Sequence, residues 1–225
     1  MARTTLTLLA ALSAGCALPA AASTPVVAPI DFSACANTNS PNGAPVGTSV
    51  GNAGTKDSKL TFTLLDPSTG NNAWVGGAGG TLSIKLSVAT PSAVYLLMNS
   101  FYGQSGVANA TIIFSGTNGA HKKAKLVGNI TIRDWNNWVW TNTINGTTAQ
   151  EWWTNNLNPQ PDDQSHRLDA HYFNLGTAFA GNTLTKIEIK APSNAGVNYM
   201  EPALFAAGVV YPGGGDAVKS SCKAK

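Results

Sequence analysis

The sequence predicts an all-β protein, an antiparallel β-sandwich of jelly-roll-like type with about eight to ten strands. Short segments alternate apolar and polar side chains with the period of two that is typical of half-buried strands. Turn signals rich in Gly, Asn and Pro separate these segments at roughly regular spacing. No segment keeps a helical apolar stripe beyond about one turn. These three observations favour two packed antiparallel sheets over any helical fold.

Residues 1–22 are predicted to be a secretory signal peptide. Arg3 precedes an apolar run, and small residues lead to a cleavage site after Ala22. We therefore expect a secreted, extracellular protein. The run is too short and too rich in Ala to favour a membrane span, and no later segment is apolar enough to cross a bilayer.

Two features leave the processing of the chain open. The stretch "LSAGC" weakly resembles a bacterial lipobox, in which Cys16 would carry a lipid. Sequons at Asn109, Asn129 and Asn145 would accept glycans if the source is eukaryotic. The sequence is equally compatible with a bacterial or a fungal origin.

Residues 23–59 are predicted to form a loosely ordered N-terminal arm, because Pro, Gly, Ser and Asn are frequent and periodicity is absent. This arm contains Cys35, and Cys222 lies near the other end of the chain. Export to an oxidising compartment favours a disulfide between these two cysteines. Such a bridge would stabilise the domain by about 4–5 kcal/mol in the chain-entropy model, and it requires the two ends of the domain to lie side by side.

Residues 60–225 carry the predicted sandwich. The stretch "LTFTLL" begins at Leu60, and "TLSIKLSV" places Leu and Ile on one face against Ser and Lys on the other. The stretch "SAVYLLMNS" is continuously apolar, which indicates a strand covered on both faces. The further predicted strands are "ATIIFSG", "KAKLVGNITIRD", "HRLDAHYFNL", "LTKIEIK" and "ALFAAGVVY".

Charge is sparse in this chain. Only 11% of the residues are charged, and the formal net charge of +3 falls to about +2 without Arg3. Such a weak field does not indicate a nucleic acid or an acidic surface as partner. The basic cluster "HKKAK", His121 to Lys125, is interpreted as a solvated hairpin end. We expect a monomer.

The stretch from Arg133 to Trp153 holds five of the six tryptophans among many Asn and Thr residues. Burial of such amides would demand hydrogen-bond partners for each, so we expect several of the rings at an exposed rim. Sugars bind such rims by stacking on aromatic faces while amides bond their hydroxyls. In an extended "WVW", Trp138 and Trp140 would share a face about 7 Å apart. The predicted ligand-binding residues are Trp135, Asn136, Asn137, Trp138, Trp140, Trp152, Trp153 and Tyr102.

An alternative places three or more of these tryptophans in the core, where a buried indole needs only a partner for its N–H. The loop "NSFYGQSG" supplies further aromatic side chains, and Phe101 or Tyr102 would join the rim.

Catalysis remains an alternative to binding. Glycoside cleavage generally requires two carboxylates about 5–10 Å apart, and Asp134 and Glu151 are the candidate acids of a small hydrolase or lyase. Neither a nucleophile elbow nor an H-E-x-x-H motif is present.

No cofactor is expected, and metal ligands are few. His166 and His171 would point to opposite faces of a strand, which disfavours a transition-metal site. Asp162 and Asp163 leave structural calcium as an open alternative. In the same segment, Arg167 and Asp169 are expected to form a salt bridge along the strand.

Four stretches carry a resemblance to known domains: "VYLLMNSFYGQSG", "LVGNITIRDWNN", "TNTINGTT" and "HRLDAHYFNLGTAFAGNTLTKIEI". They resemble secreted jelly-roll β-sandwich domains of the galactose-binding-like type, which include carbohydrate-binding modules. The resemblance covers roughly Trp74 to Tyr211 and implies extracellular, often carbohydrate-directed binding, although a shared fold does not transfer an activity.

The predicted function is a secreted, non-catalytic carbohydrate-binding protein whose partner is a polysaccharide or glycan. Two alternatives stay open. One is the small polysaccharide hydrolase or lyase, and the other is a cell-wall or host-interaction protein whose tryptophans contact a protein.

Overall fold

A computed structural model describes residues 26–39, 44–52, 59–137, 140–155, 166–194 and 200–225. The predicted signal peptide, the lipobox cysteine Cys16, the ring of Trp138 and the acids Asp162 and Asp163 lie outside these ranges. The described residues form 13 strands and three single turns of 3-10 helix. The prediction of an all-β antiparallel sandwich is confirmed. The strand number exceeds the expected eight to ten, partly because two of the strands are only two residues long.

The first sheet has six strands, all antiparallel to their neighbours. Its members are β1 (Ala28–Pro29), β4 (Trp74–Val75), β6 (Ala93–Tyr102), β9 (Ala149–Thr154), β10 (Arg167–Asn174) and β12 (Met200–Val210). The order is β1-β12-β6-β10-β9, and β4 pairs with β12 beside β1. The central strand β6 is buried on both faces along most of its length, as its continuous apolar run predicts.

The second sheet has five strands in the order β13-β5-β11-β7-β8. Its members are β5 (Thr81–Ala89), β7 (Ala108–Gly116), β8 (His121–Val127), β11 (Thr183–Lys190) and β13 (Ser220–Ala224). The period of two places alternate residues on opposite faces, so Leu82 and Ile84 are buried while Lys85 is exposed. The main core lies between the two sheets.

A two-stranded hairpin forms a third layer. Its strands are β2 (Gly47–Asn52) and β3 (Lys59–Leu64), and β3 turns Leu60, Phe62 and Leu64 onto the outer face of the six-stranded sheet. The expectation of a loosely ordered arm is therefore wrong for β1 and β2. Both strands are rich in Gly, Pro or small residues. β1 pairs with the distant strand β12 and β2 with its hairpin neighbour β3, and their apolar and polar pattern does not reveal either pairing.

The predicted disulfide between Cys35 and Cys222 is confirmed, with 6.0 Å between the Cα atoms and a sequence separation of 187. It ties the N-terminal segment to β13, the edge strand of the second sheet. Beside it, Ile30 and Val218 form a bridge between the two ends of the domain. Within the described ranges, no helix has the length and apolarity that would be needed to cross a membrane.

Candidate functional site

The tryptophan-rich segment is inserted at one end of the six-stranded sheet. On one side, the Ser100 N–H donates to the Arg133 carbonyl at 3.0 Å, and the Trp135 N–H donates to the Ser100 carbonyl at 3.0 Å. On the other side, the Arg167 N–H donates to the Trp135 carbonyl at 2.9 Å. Residues 133–136 thus occupy the gap where β6 and β10 separate, beyond the pair of Asp169 and Met98. This insertion positions the aromatic rings at the sheet end.

A small cavity opens at this end, and we call it the aromatic cleft. It has a volume of about 110 Å³ and is lined by Phe101, Tyr102, Asp134, Trp135 and Asn136. The rings of Phe101 and Trp135 meet edge to face at 5.2 Å. Trp140 adds a further ring, which meets Tyr102 edge to face at 5.5 Å. Tyr102 is 38% exposed and Trp140 is 55% exposed, so both rings present accessible apolar surface beside the cleft.

The two exposed rings sit on unusual backbone. Tyr102 has a φ of 61° and Trp140 a φ of 50°, values in the left-handed region that bulky side chains rarely adopt. Such conformations persist only where the surrounding structure enforces them, and they cluster at functional sites. The next residue, Gly103, has a φ of 139°, and a Cβ there would lie 2.6 Å from the Asn109 Nδ2 atom. The turn that carries Tyr102 is therefore tightly packed.

One buried arginine anchors the segment to the sheet from below. Arg133 binds Asp169 through two bonds, from Nε to Oδ2 at 2.8 Å and from Nη2 to Oδ1 at 2.7 Å. Its Nη2 atom also contacts the Glu151 carboxylate at 2.9 Å. Asp169 is fully buried and accepts a further bond from Asn99 Nδ2 at 2.8 Å. Burial works against the charged guanidinium, but these two carboxylates outweigh it and raise the pKa of Arg133.

A second buried arginine, Arg167, binds the polar atoms of the tryptophan-rich segment. Its Nε atom donates to the Asp134 carbonyl at 2.8 Å, and its Nη1 atom donates to Asn137 Oδ1 at 2.6 Å. Its Nη2 atom donates to the Thr141 carbonyl at 2.9 Å and to Asn142 Oδ1 at 3.0 Å. Burial, followed by the nearby charge of Arg133, lowers the pKa of Arg167 to about 10.

The predicted salt bridge between Arg167 and Asp169 is wrong. Asp169 bonds to Arg133, while Arg167 holds carbonyl and amide oxygens of the inserted segment. The physical reason is that Arg133 occupies both oxygens of Asp169, while the inserted segment offers Arg167 oxygen acceptors within 3.0 Å.

Asp134 is the acid of the cleft. Its side chain is buried, and its Oδ1 atom accepts the Asn136 N–H at 2.7 Å. Burial raises the pKa of Asp134 to about 7, against the opposing effects of backbone hydrogen bonds and the charge of Arg167. Near neutral pH, protonated and ionised forms of this carboxyl therefore coexist. The protonated form can donate a hydrogen bond and the ionised form can only accept.

Asn136 adds an unsatisfied acceptor to the same cleft. Its Oδ1 atom is buried and has no hydrogen-bond partner among the residues that the structure describes. Buried acceptors are almost always bonded to protein or to water, and a donor group of a ligand in the cleft would satisfy this atom. Asn137, the other predicted amide, is engaged by Arg167 instead.

Trp152 is a core residue, and its predicted place at an exposed rim is wrong. It is only 4% exposed, its Nε1 atom donates to the Leu60 carbonyl at 2.7 Å, and its ring meets Phe62 edge to face at 5.6 Å. The indole lies beneath the hairpin, whose position the sequence pattern did not reveal. Trp153 is partly buried and packs against the same apolar cluster.

The structure thus brings together four of the predicted site residues: Tyr102, Trp135, Asn136 and Trp140. Sequence reasoning missed both arginine anchors. For Arg133 a signal was present in "IRDW". A charged residue beside aromatic residues is rarely buried unless it has a partner of opposite charge.

The two candidate catalytic acids do not both line the cleft. Asp134 does, whereas the Glu151 carboxylate is held by Arg133. No group of three or more His, Cys, Asp or Glu side chains suited to a metal ion occurs in the described part of the chain. His166 lies against the Trp135 ring at 4.2 Å, and the His171 imidazole is buried against the Met98 carbonyl at 2.9 Å.

The three sequons differ in accessibility. Asn109 is fully buried, which disfavours glycosylation of the folded protein at this position. The Asn129 Oδ1 atom accepts the Asn142 N–H at 2.6 Å, and Asn145 is exposed in a turn.

Comparison of the chain with family models, curated proteins and solved structures returned no match, so the resemblance to galactose-binding-like domains stays a prediction.

Proposed function

We propose that this protein is a secreted carbohydrate-binding protein and that the aromatic cleft is its ligand site. The observation that carries the proposal is the adjacency of two exposed rings, Tyr102 and Trp140, to a cleft that contains the unpaired acceptor of Asn136. Sugars present an apolar ring face beside hydroxyl groups, and this arrangement of groups complements both.

The size of the cleft suggests how a glycan would sit. A volume of about 110 Å³ is much smaller than the several hundred cubic ångströms of sites that enclose a small molecule. We therefore expect one sugar residue, or one edge of it, to enter the cleft. Neighbouring residues of the glycan would lie over the faces of Tyr102 and Trp140.

The polar groups favour binding without cleavage. Among the residues that line the cleft, Asp134 is the acid, and glycoside cleavage generally needs a second carboxylate nearby. Glu151 and Asp169 are both bound to Arg133, which holds both oxygens of Asp169 and one oxygen of Glu151 and shares its single positive charge between them.

One observation keeps the hydrolase as a second candidate. A carboxyl whose pKa is about 7 is suited to act as a general acid near neutral pH. Release of reducing sugar from polysaccharides, abolished by Asp134→Asn, would establish catalysis. Absence of turnover on glycans that bind to the protein would leave binding as the function.

The test of binding is a glycan-array screen followed by titration calorimetry on Trp140→Ala. Because the Trp140 ring is more than half exposed, its loss should weaken glycan binding at least about tenfold while the melting temperature changes by only about 2 °C. Tyr172→Ala is a matched control, since Tyr172 is a similarly exposed aromatic residue on β10 that contacts Tyr95.

Equal loss of binding in both variants, or no glycan bound by the unmodified protein, would contradict the proposal. Binding to cells that persists after enzymatic removal of surface glycans would instead favour a protein partner.

A further inference from the structure

The outer surface of the five-stranded sheet carries a concentration of lysines that the net charge of the chain conceals. The register of the strands sets its side chains in three rows. The first row reads Lys225, Thr81, Lys190, Thr111 and Lys125. The second row reads Lys223, Ser83, Glu188, Ile113 and Lys123. The third row reads Ser221, Lys85, Lys186, Ser115 and His121.

We call the seven lysines of these rows, with the Ser and Thr residues between them, the lysine face. Glu188 is the one acid in the three rows, and it contacts Lys186 at 3.1 Å. The formal charge of these seven lysines and one glutamate is greater than the formal charge of +3 of the whole chain. Acidic side chains elsewhere in the chain offset this charge. Positive charge is therefore concentrated on one surface, and the net charge of the chain does not predict its local field.

The face is also shaped to receive a ligand. A groove of about 500 Å³ runs over β13, β5 and β11. The lysines around it are Lys85, Lys190, Lys223 and Lys225, and its lining includes hydroxyl groups of Thr81, Ser83 and Ser221. Glu188 also lines it, and its carboxylate is paired with Lys186. The groove therefore combines cations at its edges with hydrogen-bonding groups between them.

The spacing of the cations is regular in the first row. In the first row the lysines stand on alternate strands, two strand spacings or roughly 9–10 Å apart. Successive rows are roughly 7 Å apart along the strands, because alternate residues share a face. The first row matches a polymer that bears an anionic group at similar regular intervals, and the other two rows add cations beside it.

The scarcity of aromatic and large apolar side chains narrows the choice of polymer. Single-stranded nucleic acids are held by aromatic rings on which bases stack, and the three rows contain no Phe, Tyr or Trp and only one imidazole, that of His121 at the end of the third row. A surface five strands wide, roughly 19 Å, is too broad to enter a major groove of about 12 Å. Ile113 is the one large apolar side chain in the rows, which leaves little to insert into a lipid surface.

We propose that the lysine face binds an acidic polysaccharide, one that carries carboxylate or sulfate groups. The lysines would pair with the anionic groups, and the Ser and Thr hydroxyls would bond the sugar hydroxyls between them. This site lies on the sheet opposite the one that carries the aromatic cleft, and it differs from the cleft in chemistry.

The test compares binding of the full protein to sulfated dextran, polygalacturonate and neutral dextran at about 50 mM and about 200 mM salt. We expect binding to both acidic polymers, none to neutral dextran, and a marked loss of affinity at the higher salt. In Lys190→Gln/Lys225→Gln, binding should weaken by about fivefold per lysine, and so roughly 25-fold for the pair.

A matched control removes two lysines elsewhere. Lys59→Gln/Lys122→Gln lowers the net charge by the same amount but leaves the lysine face intact. Lys59 lies on the hairpin, and Lys122 donates to the Asn174 carbonyl on the six-stranded sheet. Its affinity for sulfated dextran should stay within about threefold of the unmodified protein. Trp140→Ala should bind sulfated dextran normally, which separates this proposal from the function of the aromatic cleft.

Three outcomes would overturn the proposal. They are no binding to either acidic polymer at low salt, equal losses in the two double variants, and tighter binding of a DNA duplex or phosphatidylserine vesicles than of the acidic polysaccharides at equal charge concentration.

Discussion

The aromatic cleft and the lysine face are built by opposite means. The cleft depends on a segment inserted between two strands, on left-handed backbone at Tyr102 and Trp140, and on two buried arginines. The lysine face depends on strands in plain register, whose side chains project outward one by one. Changes to the buried residues that support the cleft should therefore act together and through the fold, whereas changes on the lysine face should add independently and leave stability nearly unchanged.

The largest expected effect comes from the disulfide, which holds the edge strand of the lysine face. Cys35→Ser/Cys222→Ser should lower the free energy of unfolding by about 5 kcal/mol, because the bridge restricts a very long loop in the unfolded chain. Urea denaturation measures this change. Reduction of the unmodified protein should reproduce it, and a change below about 1 kcal/mol would show that β13 is held by its other contacts.

The next effect tests the buried anchor of the cleft. Arg133→Met leaves the Asp169 carboxylate buried without its ion-pair partner and should lower the free energy of unfolding by roughly 3–5 kcal/mol. Thermal denaturation measures the loss. Arg133→Met/Asp169→Leu removes both charges and should recover much of the stability. Equal instability of the two variants would mean that packing, and not charge pairing, dominates at this point.

The smallest of these effects concerns pH. The pKa of Asp134 is about 7 in the folded protein and near 3.8 in the unfolded chain, so between these values the folded state holds the extra proton. The free energy of unfolding therefore falls as the pH rises through this window, by about 2–4 kcal/mol. Below this pH window, the free energy of unfolding of Asp134→Asn should equal that of the unmodified protein. Above pH 7, the variant should be the more stable of the two.

The comparison between variants is needed because His171 acts in the opposite direction. Burial lowers the pKa of this imidazole, so its contribution to stability is lost as the pH falls below the value of 6.5 that applies to the unfolded chain. Urea denaturation of both proteins across the window isolates Asp134. Parallel curves for the two proteins would contradict the raised pKa.

Much of the sandwich could be predicted because its strands follow local rules. The alternation in β5 and β11 and the burial of both faces of β6 follow from the order of apolar and polar residues along each strand. The Cys35–Cys222 bridge followed from cysteine number and expected compartment.

The cleft was predictable only in part. The rings of Trp140 and Tyr102 were expected at the surface and lie there, whereas Trp152 was assigned to the same rim and is buried. The difference arises from the hairpin that covers Trp152, since contact between segments about 90 residues apart leaves no trace in local pattern.

The lysine face was not predicted, because net charge averages over surfaces. The basic cluster "HKKAK" was interpreted as a solvated hairpin end, and nothing in its neighbourhood pointed to other cations. Only strand order places Lys125 in one row with Lys190 and Lys225. A charged surface whose residues come from several strands can be recognised only when the order and register of the strands are known.

The hairpin of β2 and β3 has a practical consequence for the smallest unit that can fold. It seals Leu97, Leu168 and Phe205 on the outer side of the six-stranded sheet, with apolar side chains that begin at Leu60. A shortened protein that starts at residue 65 would expose this apolar patch to solvent, and we expect its molecules to associate through it. A fragment that keeps this patch covered must therefore begin ahead of β2, upstream of the boundary near residue 60 that periodicity alone would recommend.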